Sequence, residues 1–368
     1  MFKINSSSNE SLAREGQLKT KKGKIRTPFF MPVATKGEVK FITKKELHEL
    51  KYEAFIANAF ILFLRPGLEV IEKSHGLHKM IDWNKPLFTD SGGFQMLSKH
   101  FLISSNKSGV HFRSPFDGQK FFMTPKKIME IQNKLDSDVA MVLDDVPRFG
   151  GTKEYYINSL KRTMEFAKIC KESHENKKQL LFGIAQGGTF TDLREKAIEE
   201  TIKLGFDGIA LGGLAIGEGS HLMIDITQHC SKLLPENQIH YLMGLGSPAD
   251  LVKAVDLGMD CFDSIFPTRM ARHGHLFTKK GAIYVKKAKY RNDFNAADDC
   301  SCYSCKTHSR AYLHHLFKTK EPNYKRFATY HNLHFISNLF QEMRTAIKEN
   351  SFKKFKEDFL KNYKVKAS

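Results

Sequence analysis

Acidic residues interrupt several apolar stretches of this sequence at places where they could perform acid–base or nucleophilic chemistry. "LFTDSGGFQ" leads from an apolar run into Asp90, "DVAMVLDD" ends on Asp144 and Asp145, and Asp263 lies within "DCFDSIF". One carboxylate can attack an electrophilic carbon while a second one moves a proton, and Asp145 is the candidate for a structural partner. Each aspartate taken alone also suits a turn or a helix cap. A chemical role therefore requires a fold that brings them together.

Eight short apolar or β-branched runs supply the candidate strands of such a fold. They cover residues 29–35, 54–60, 87–90, 138–145, 180–186, 207–213, 240–246 and 260–266. Helical patterns separate several of them, and strands that alternate with helices are typical of a parallel sheet. Thr124 with Pro125 and Ser247 with Pro248 are the cap and first residue of two such helices, the second of which is predicted to end at Gly258. The sequence thus predicts an α/β protein built on a (β/α)8 TIM barrel.

The carboxyl ends of the predicted strands carry polar residues or glycines after almost wholly apolar interiors. These residues are Asn58, Asp90, Asp144, Asp145, Gln186, Gly212, Gly213 and Gly246, with Asp263 inside the eighth run. In a TIM barrel the carboxyl ends of the strands meet around one pocket. We therefore expect this set to line the active site.

A cluster of cysteines predicts a metal centre. "CSCYSC" places Cys300, Cys302 and Cys305 in one short segment, and three thiolates need a fourth ligand to complete a tetrahedral zinc site. The histidines that follow are His308, His314, His315, His331 and His334. His331 is the preferred ligand because it lies beyond a second predicted loop that could bring it back, and His334 is the alternative. A closed site of this kind is structural and holds one Zn²⁺ per chain.

The composition predicts a large core and an anionic partner. The chain has 368 residues, 41% of them hydrophobic, and 58 Lys and Arg against 40 Asp and Glu give a formal charge of +18. Such a charge attracts phosphate backbones, although lysines spread over solvated faces would give the same sum. The N-terminus lacks the apolar core of a signal peptide, and no segment has the length of a membrane span. We expect a cytoplasmic protein that does not contact a membrane.

Changes in pattern along the chain predict three regions. Residues 1–272 form the barrel, with a hairpin insertion near 97–122. A zinc-binding subdomain follows over 273–345. The last region, 346–368, is an amphipathic helix that packs on the barrel through aromatic residues at helical spacing, namely Phe352, Phe355 and Phe359.

Taken together, the motifs resemble one enzyme family. "TDSGGFQ", "GIAQGG", "GGLAIGE", "YLMGLGSP", "FDSIFPTRMARHGHLF" and "CSCYSC", followed by "SRAYLHHLF" and "HNLHF", are similar to motifs of the tRNA-guanine transglycosylases, also called queuine tRNA-ribosyltransferases. The resemblance extends from about Gly16 to the last helix, and the length is similar to that of the bacterial branch. It implies a (β/α)8 barrel with an inserted zinc subdomain, in agreement with the patterns above.

The resemblance implies exchange of the wobble guanine of tRNAs with a GUN anticodon, those for Asp, Asn, His and Tyr, for a 7-deazaguanine base in queuosine biosynthesis. Asp263 matches the nucleophile that attacks ribose C1′ and forms a covalent enzyme–RNA intermediate, and Asp90 matches the acid/base residue. The residues that match the family's base pocket are Asn58, Ser91, Phe94, Asp144, Gln186, Gly212, Gly213, Leu214 and Met243. Arg269 and Arg272 match residues that grip the anticodon loop. Family members usually act as homodimers, and "SRAYLHHLF" matches the interface helix.

Two departures from the family pattern concern the pocket. Residues 57–62 read "ANAFIL" where the family has "GNTYHL" or "GNTFHL", and residues 143–146 read "LDDV" where bacterial members have "FDEC". The second change is similar to the eukaryotic queuine enzymes, whereas Ile216 is bulky where those enzymes have glycine. Because a branched side chain at a pocket wall excludes a large substituent, 7-aminomethyl-7-deazaguanine is the expected base and queuine is the alternative.

Two other classes of function compete with an active transglycosylase. A non-catalytic, transglycosylase-like RNA-binding subunit would explain the altered "ANAFIL" stretch but not the presence of both Asp90 and Asp263. An unrelated barrel hydrolase with paired carboxylates would explain neither "CSCYSC" nor the basic composition. The active enzyme is therefore the leading hypothesis.

Overall fold

Eight parallel strands form the centre of the computed structural model, which describes residues 2–93 and 102–364. Barrel strands 1 to 8 are, in chain order, Phe29–Pro32, Phe55–Asn58, Leu87–Asp90, Val139–Met141, Leu180–Ala185, Gly208–Leu211, Ile239–Leu242 and Cys261–Ser264. Strands 2 to 8 pair in chain order and strand 8 pairs back with strand 1. The Ala34 N–H donates to the Ile56 carbonyl at 2.7 Å and so joins strands 1 and 2. This closure confirms the predicted TIM barrel.

Helices follow the barrel strands, as the repeat predicts. They are Lys44–Glu49, Ala59–Leu64, Leu68–Lys73, Leu77–Met80, Pro125–Leu135, Lys153–Ser173, Thr191–Lys203, Ser220–Ser231 and Pro248–Asp256. The Thr124 Oγ1 accepts from the Lys127 N–H at 3.1 Å, which confirms the predicted cap. Ser247 makes no side-chain cap bond, and its helix ends at Asp256 rather than at Gly258. The φ of +81° at Gly258 is a conformation in which glycine is favoured.

Aspartates precede three of the barrel strands and tie neighbouring strands together at the amino end of the barrel. Asp138, Asp207 and Asp260 stand directly before barrel strands 4, 6 and 8. Each carboxylate accepts a main-chain N–H from the adjacent strand, at 2.9 Å from Leu87, 2.9 Å from Leu181 and 2.7 Å from His240. Their position at the amino end of the strands and their bonds to the main chain of the adjacent strand assign them a structural role.

An N-terminal sheet of strands Phe2–Ser7, Arg14–Thr20 and Gly23–Thr27 lies across this amino end. The buried Arg14 guanidinium donates to Asp260 at 2.6 Å and to two main-chain carbonyls. The Lys22 N–H donates to Asp138 at 2.8 Å. Because barrel strands 4 and 8 stand on opposite sides of the barrel, these two contacts extend the sheet across its diameter.

A second small sheet lies between barrel strands 3 and 4, in the region where the hairpin insertion is predicted. Its antiparallel strands are Leu102–Asn106, Gly109–Arg113 and Lys120–Met123. The Ser114 N–H donates to the Gln119 carbonyl at 2.8 Å in the turn between the last two strands. The buried Phe112 ring packs edge-on against Phe60, with centroids 4.3 Å apart, and so attaches the sheet to the helix after barrel strand 2. The first residues of the predicted insertion lie outside the described part of the chain.

The C-terminal region begins after helix Phe266–Arg272. It contains strands His275–Thr278 and Gly281–Tyr284, the 3₁₀ helix Ala288–Tyr290, and helices Tyr303–Thr307, Arg310–Lys318, Pro322–Lys348 and Phe352–Asn362. The loop predicted before His331 is confined to residues 319–321, because the long helix Pro322–Lys348 already begins at Pro322. Proline is tolerated in the first turn of a helix, where its missing N–H has no partner to lose. Among the described residues, no helix combines the length and apolar character needed to cross a membrane.

The long helix belongs to two cores at once and crosses the domain boundary predicted at 345. Its second half packs in the barrel core, where the Phe340 ring lies 6.3 Å from that of Phe30 and 5.7 Å from that of Phe262. Its first half contributes Tyr324 and Ala328 to a separate cluster in the C-terminal region. The C-terminal region is therefore packed onto the barrel through a shared helix.

We expect Arg14→Met to lower the free energy of unfolding by about 3 kcal/mol, because it leaves the buried Asp260 carboxylate without its cation. The matched control is Arg26→Met, which removes the exposed ion pair with Glu53 and should cost less than about 1 kcal/mol. Urea unfolding of both variants measures the difference. Equal losses in the two variants would contradict the structural role assigned to the amino end of the barrel.

Candidate active site and metal centre

Two aspartates at the mouth of the barrel are held in different ways. Asp90 ends barrel strand 3, and its Oδ1 accepts from the Gly92 N–H at 2.7 Å. Asp263 is the third residue of barrel strand 8, and its Oδ1 accepts from the Tyr241 hydroxyl at 2.6 Å and the Gly244 N–H at 3.1 Å. Both side chains keep partial exposure at the mouth. Asp263 thus has two donors directed at one oxygen, whereas Asp90 has one.

The electrostatics of the mouth separate the two carboxyl groups. Burial raises the pKa of Asp90 to about 8. The charges of Asp263 and Asp144 also raise this pKa, whereas the hydrogen bond from the Gly92 N–H lowers it. Burial also raises the pKa of Asp263, but the donors from Tyr241 and Gly244 oppose this effect. Near neutral pH, Asp90 therefore holds a proton and Asp263 is the group better prepared to carry the charge.

Beside this pair, Asp144 and Gln186 form a polar wall with one unused acceptor. The Gln186 Nε2 donates to the Asp144 Oδ2 at 2.6 Å, while the Gln186 Oε1 is buried and has no hydrogen-bond partner among the described residues. Burial raises the pKa of Asp144 to about 7, and the bond from Gln186 opposes the shift. A buried acceptor without a donor is costly, so this wall suits a ligand that brings N–H groups.

Glycines allow the backbone to approach this wall. A Cβ on Gly213 would lie 2.3 Å from the Gln186 Oε1, and one on Gly212 would lie 2.7 Å from its Nε2. A Cβ on Gly93 would lie 2.9 Å from the Asp144 carbonyl oxygen. The Gly-Gly pair after Asp90 is therefore required for close packing as well as for the turn.

Asp145 makes its contacts away from the wall formed by Asp144 and Gln186. Its carboxylate pairs with Arg162, its N–H donates to the Thr163 Oγ1 at 3.0 Å, and its carbonyl accepts from the Ser159 hydroxyl at 2.6 Å. All three partners lie on helix Lys153–Ser173. These bonds anchor the loop that presents Asp144, which is the structural role predicted for Asp145.

The unusual "ANAFIL" stretch supports the pocket from below Asp90. Asn58 ends barrel strand 2 opposite Asp90, and its Oδ1 accepts from the Ile61 N–H at 2.8 Å, which caps the next helix. Its Nδ2 is buried and has no hydrogen-bond partner in the described chain, although its proximity favours the charged form of Asp90 and lowers the pKa of that carboxyl. A Cβ on Gly92 would lie 2.4 Å from the Phe60 Cβ, so Phe60 fills the space beneath the loop.

The remaining predicted pocket residues lie near these groups or outside the described chain. Ser91 and Leu214 are buried, and Met243 is partly buried between Leu242 and Gly244. Phe94 lies outside the described residues.

The sequence did not single out Tyr241, Gly244 and Glu218. The Glu218 carboxylate accepts the N–H groups of Ala215, Ile216 and Gly217. The glycines around Glu218 are the available signal, since positive φ values let successive N–H groups converge on one anion.

Arg269 and Arg272 lie on the short helix that follows Asp263. Arg269 is exposed, and the half-buried Arg272 donates to the Thr268 Oγ1 at 3.0 Å. Burial and the neighbouring Arg269 lower the pKa of Arg272. Neither arginine has a carboxylate partner among the described residues, so both guanidinium groups are available to an anion beside the mouth.

Cys300, Cys302, Cys305 and His331 form a cluster whose ligand atoms all lie within 4.8 Å of one another. The three sulfurs lie 3.8, 3.5 and 3.3 Å from the His331 Nδ1. The His331 Nε2 contacts the Phe277 carbonyl at 2.6 Å, so Nε2 is the donor and Nδ1 is free for a metal. His334 contacts Asn338 at 3.3 Å instead of completing this set. Three thiols and one imidazole could hold a metal ion, in the ligand set typical of closed tetrahedral sites.

Comparison with known proteins agrees with this architecture. The family model described as Queuine tRNA-ribosyltransferase matches residues 8–365. The chain is 45% identical over 357 residues to a queuine tRNA-ribosyltransferase of Halothermothrix orenii, covering 97% of this chain and 96% of the relative. It is 46% identical over 353 residues to one of Caldanaerobacter subterraneus, covering 95% and 94%, and 43% identical over 353 residues to one of Lysinibacillus sphaericus, covering 95% and 93%. The chain therefore belongs to the queuine tRNA-ribosyltransferase family.

Proposed function

We propose that this protein is a tRNA-guanine transglycosylase of queuosine biosynthesis that uses Asp263 as nucleophile and Asp90 as acid and base. Membership of the family makes tRNA the substrate and pentosyl transfer the reaction. The observation that carries the residue roles is the unequal environment of two carboxyl groups at one barrel mouth. A protonated acid beside a carboxylate is what a double displacement at an anomeric carbon requires.

The reaction proceeds in two displacements at ribose C1′. The Asp263 carboxylate attacks C1′ as the bond to guanine breaks, and Asp90 gives its proton to the departing base. The incoming base then loses a proton to the Asp90 carboxylate and attacks C1′, which releases Asp263. Tyr241 and Gly244 hold the attacking carboxylate in place, and two inversions retain the configuration at C1′.

Base recognition falls to Asp144 and Gln186, with Gly213 against them. The Asp144 carboxylate suits the N1–H and exocyclic amine of a guanine-like ring, and the main-chain N–H of Gly213 can donate to its carbonyl. Asn58, Ser91, Gly212, Leu214 and Met243 complete the proposed pocket, together with Phe94.

Two features favour 7-aminomethyl-7-deazaguanine as the incoming base. The Ala215 N–H is bound to Glu218, so the planar trans peptide directs the Leu214 carbonyl the opposite way. That oxygen lies 3.9 Å from the position of a Cβ on Gly244, the residue whose N–H donates to Asp263, and it can accept from an aminomethyl group. Ile216 remains bulky, which disfavours queuine.

The RNA-binding surface includes Arg269 and Arg272. A base can reach the barrel mouth only when it leaves its stack, and the surrounding phosphates then need cations. Both arginines follow Asp263 within one short helix, and the formal charge of +18 gives the whole chain an affinity for RNA.

The Cys3His cluster holds one structural Zn²⁺ in this proposal, because a closed set of three thiolates and an imidazole leaves no open position for chemistry.

We also propose a homodimer and a cytoplasmic location. The exposed rings of Tyr303 and Tyr312 flank His308 on and beside helix Arg310–Lys318, and such an aromatic group suits a protein interface.

We expect Asp263→Asn to abolish the covalent RNA adduct and to lower guanine exchange on the order of 10³-fold or more, because the amide cannot attack C1′. Trapping of the adduct on a denaturing gel and release of labelled guanine are the measurements. Asp225→Asn, which changes an exposed aspartate, is the control and should leave both unchanged. Adduct formation by the Asp263 variant would remove this residue from its role.

We expect kcat/KM to fall as pH rises through about 8, because Asp90 must begin the reaction protonated.

The free energy of unfolding should also fall as the pH rises. Because the pKa of the Asp90 carboxyl is higher in the folded state, this group destabilises the folded protein progressively between its unfolded pKa near 4 and about pH 8. At pH 9 the free energy of unfolding of Asp90→Asn should therefore exceed that of the parent by about 2 kcal/mol, and at pH 4 the two values should not differ. A constant difference at both pH values would refute the assigned protonation state.

We expect release of labelled guanine from a GUN-anticodon tRNA when the aminomethyl base is offered, and none with queuine in a parallel assay. Release with queuine would mean that Val146 and its neighbours determine the size of the accepted base more strongly than Ile216 does. A folded protein that releases guanine with neither base would support the non-catalytic RNA-binding subunit instead.

A further inference from the structure

The long helix Pro322–Lys348 holds both ends of the short helix that carries Arg269 and Arg272. The Asn332 Nδ2 donates to the Pro267 carbonyl at 3.0 Å, at the start of helix Phe266–Arg272. The Tyr324 hydroxyl donates to the Ala271 carbonyl at 3.2 Å, near its end. Asn332 and Tyr324 are both buried, at 0% and 2% exposure, so water does not replace these bonds.

Asn332 also fixes the strand that follows the short helix. Its Nδ2 donates to the His275 carbonyl at 3.0 Å, and its Oδ1 accepts from the Phe277 N–H at 2.9 Å. The amide therefore uses both of its N–H groups and its oxygen on main-chain groups between 267 and 277. Few side chains can make three such bonds from one position, which gives Asn332 a specific part in shaping this segment.

The metal cluster is attached to the same segment. His331 precedes Asn332, directs Nδ1 at the three cysteines and donates from Nε2 to the Phe277 carbonyl at 2.6 Å. Phe277 thus receives a bond from a metal-binding side chain on its C=O and gives one to Asn332 from its N–H. Cluster, strand and short helix form one connected framework.

We infer that Asn332 and Tyr324 are positioning residues for RNA binding, which set the direction of the short helix and of its two arginines. This inference rests on the proposed function. A helix of seven residues is too short to be stable alone, so its orientation depends on outside contacts. Asp263 lies on a barrel strand and is held by Tyr241 and Gly244, neither of which contacts the long helix through a side-chain hydrogen bond in the described chain. Loss of either anchor should therefore weaken RNA binding and leave the base pocket intact.

The test compares Asn332→Ala and Tyr324→Phe with Asn338→Ala. Asn338 lies six residues beyond Asn332 on the same helix, is half-buried, and contacts only the ring of His334 by its amide among the described residues. Fluorescence anisotropy with an anticodon stem–loop over a range of salt gives the RNA affinity. Equilibrium dialysis gives the guanine affinity, and metal analysis of each purified protein gives the zinc content.

We expect Asn332→Ala to weaken RNA binding about tenfold and Tyr324→Phe about threefold, with a salt dependence shallower by about one phosphate contact. Guanine affinity and about one zinc per chain should be retained, and Asn338→Ala should match the parent. Tyr324→Phe, which removes a single hydroxyl, decides the matter if Asn332→Ala does not fold.

Unchanged RNA affinity in the folded variants would overturn the inference, and so would an equal loss of guanine affinity, since that would show a general disturbance of the barrel. Both outcomes leave the proposed function standing as long as the parent protein exchanges guanine. Failure of the parent to bind the stem–loop or to release guanine would count against the proposed function itself.

Discussion

Two partly buried carboxyl groups share one site, and they cannot both carry a charge there without a large cost. The structure lowers this cost by giving the two carboxyl groups different numbers of hydrogen-bond donors. Asp263 receives a hydroxyl and a main-chain N–H, whereas Asp90 receives one N–H and feels the charge of its neighbour. The difference depends on strand order, because Tyr241 lies on barrel strand 7, next to the strand that carries Asp263. The same geometry that closes the barrel therefore separates the proposed acid from the proposed nucleophile.

Polar side chains at the two ends of the barrel differ in how completely they are hydrogen-bonded. At the amino end, carboxylates such as Asp138 and Asp260 are saturated by main-chain donors and by Arg14 or His78. At the carboxyl end, Gln186 and Asn58 keep buried polar atoms without partners in the described chain. The paired carboxylates stabilise the amino rim, and the unpaired side-chain atoms of Gln186 and Asn58 suit the carboxyl rim to a ligand.

Much of this arrangement could be predicted from the sequence. All eight predicted runs supply barrel strands, because short apolar runs alternate with helices throughout the chain, and the spacing of the cysteines indicated a metal cluster. Tyr241 was not predicted because its role depends on a hydrogen bond to Asp263 on the neighbouring strand, and a local sequence pattern does not encode such a contact. Glu218 was not predicted because its partners are main-chain N–H groups, for which the neighbouring glycines are only an indirect signal. The loop expected before His331 is shorter than predicted for a different reason: Pro322 occupies the first turn of the long helix, which leaves only residues 319–321 between the two helices.

The N-terminal sheet has a consequence for the kinetics of the proposed reaction. It lies across the amino end from Asp138 to Asp260, so the site opens at the carboxyl end of the barrel. The departing and the arriving base would then occupy the wall formed by Asp144 and Gln186 in turn, as a ping-pong scheme requires. Free guanine would compete with the new base for the same enzyme–RNA intermediate, so product inhibition would accompany turnover. The direction of net exchange would be governed by the relative concentrations of the two bases, that is, by mass action.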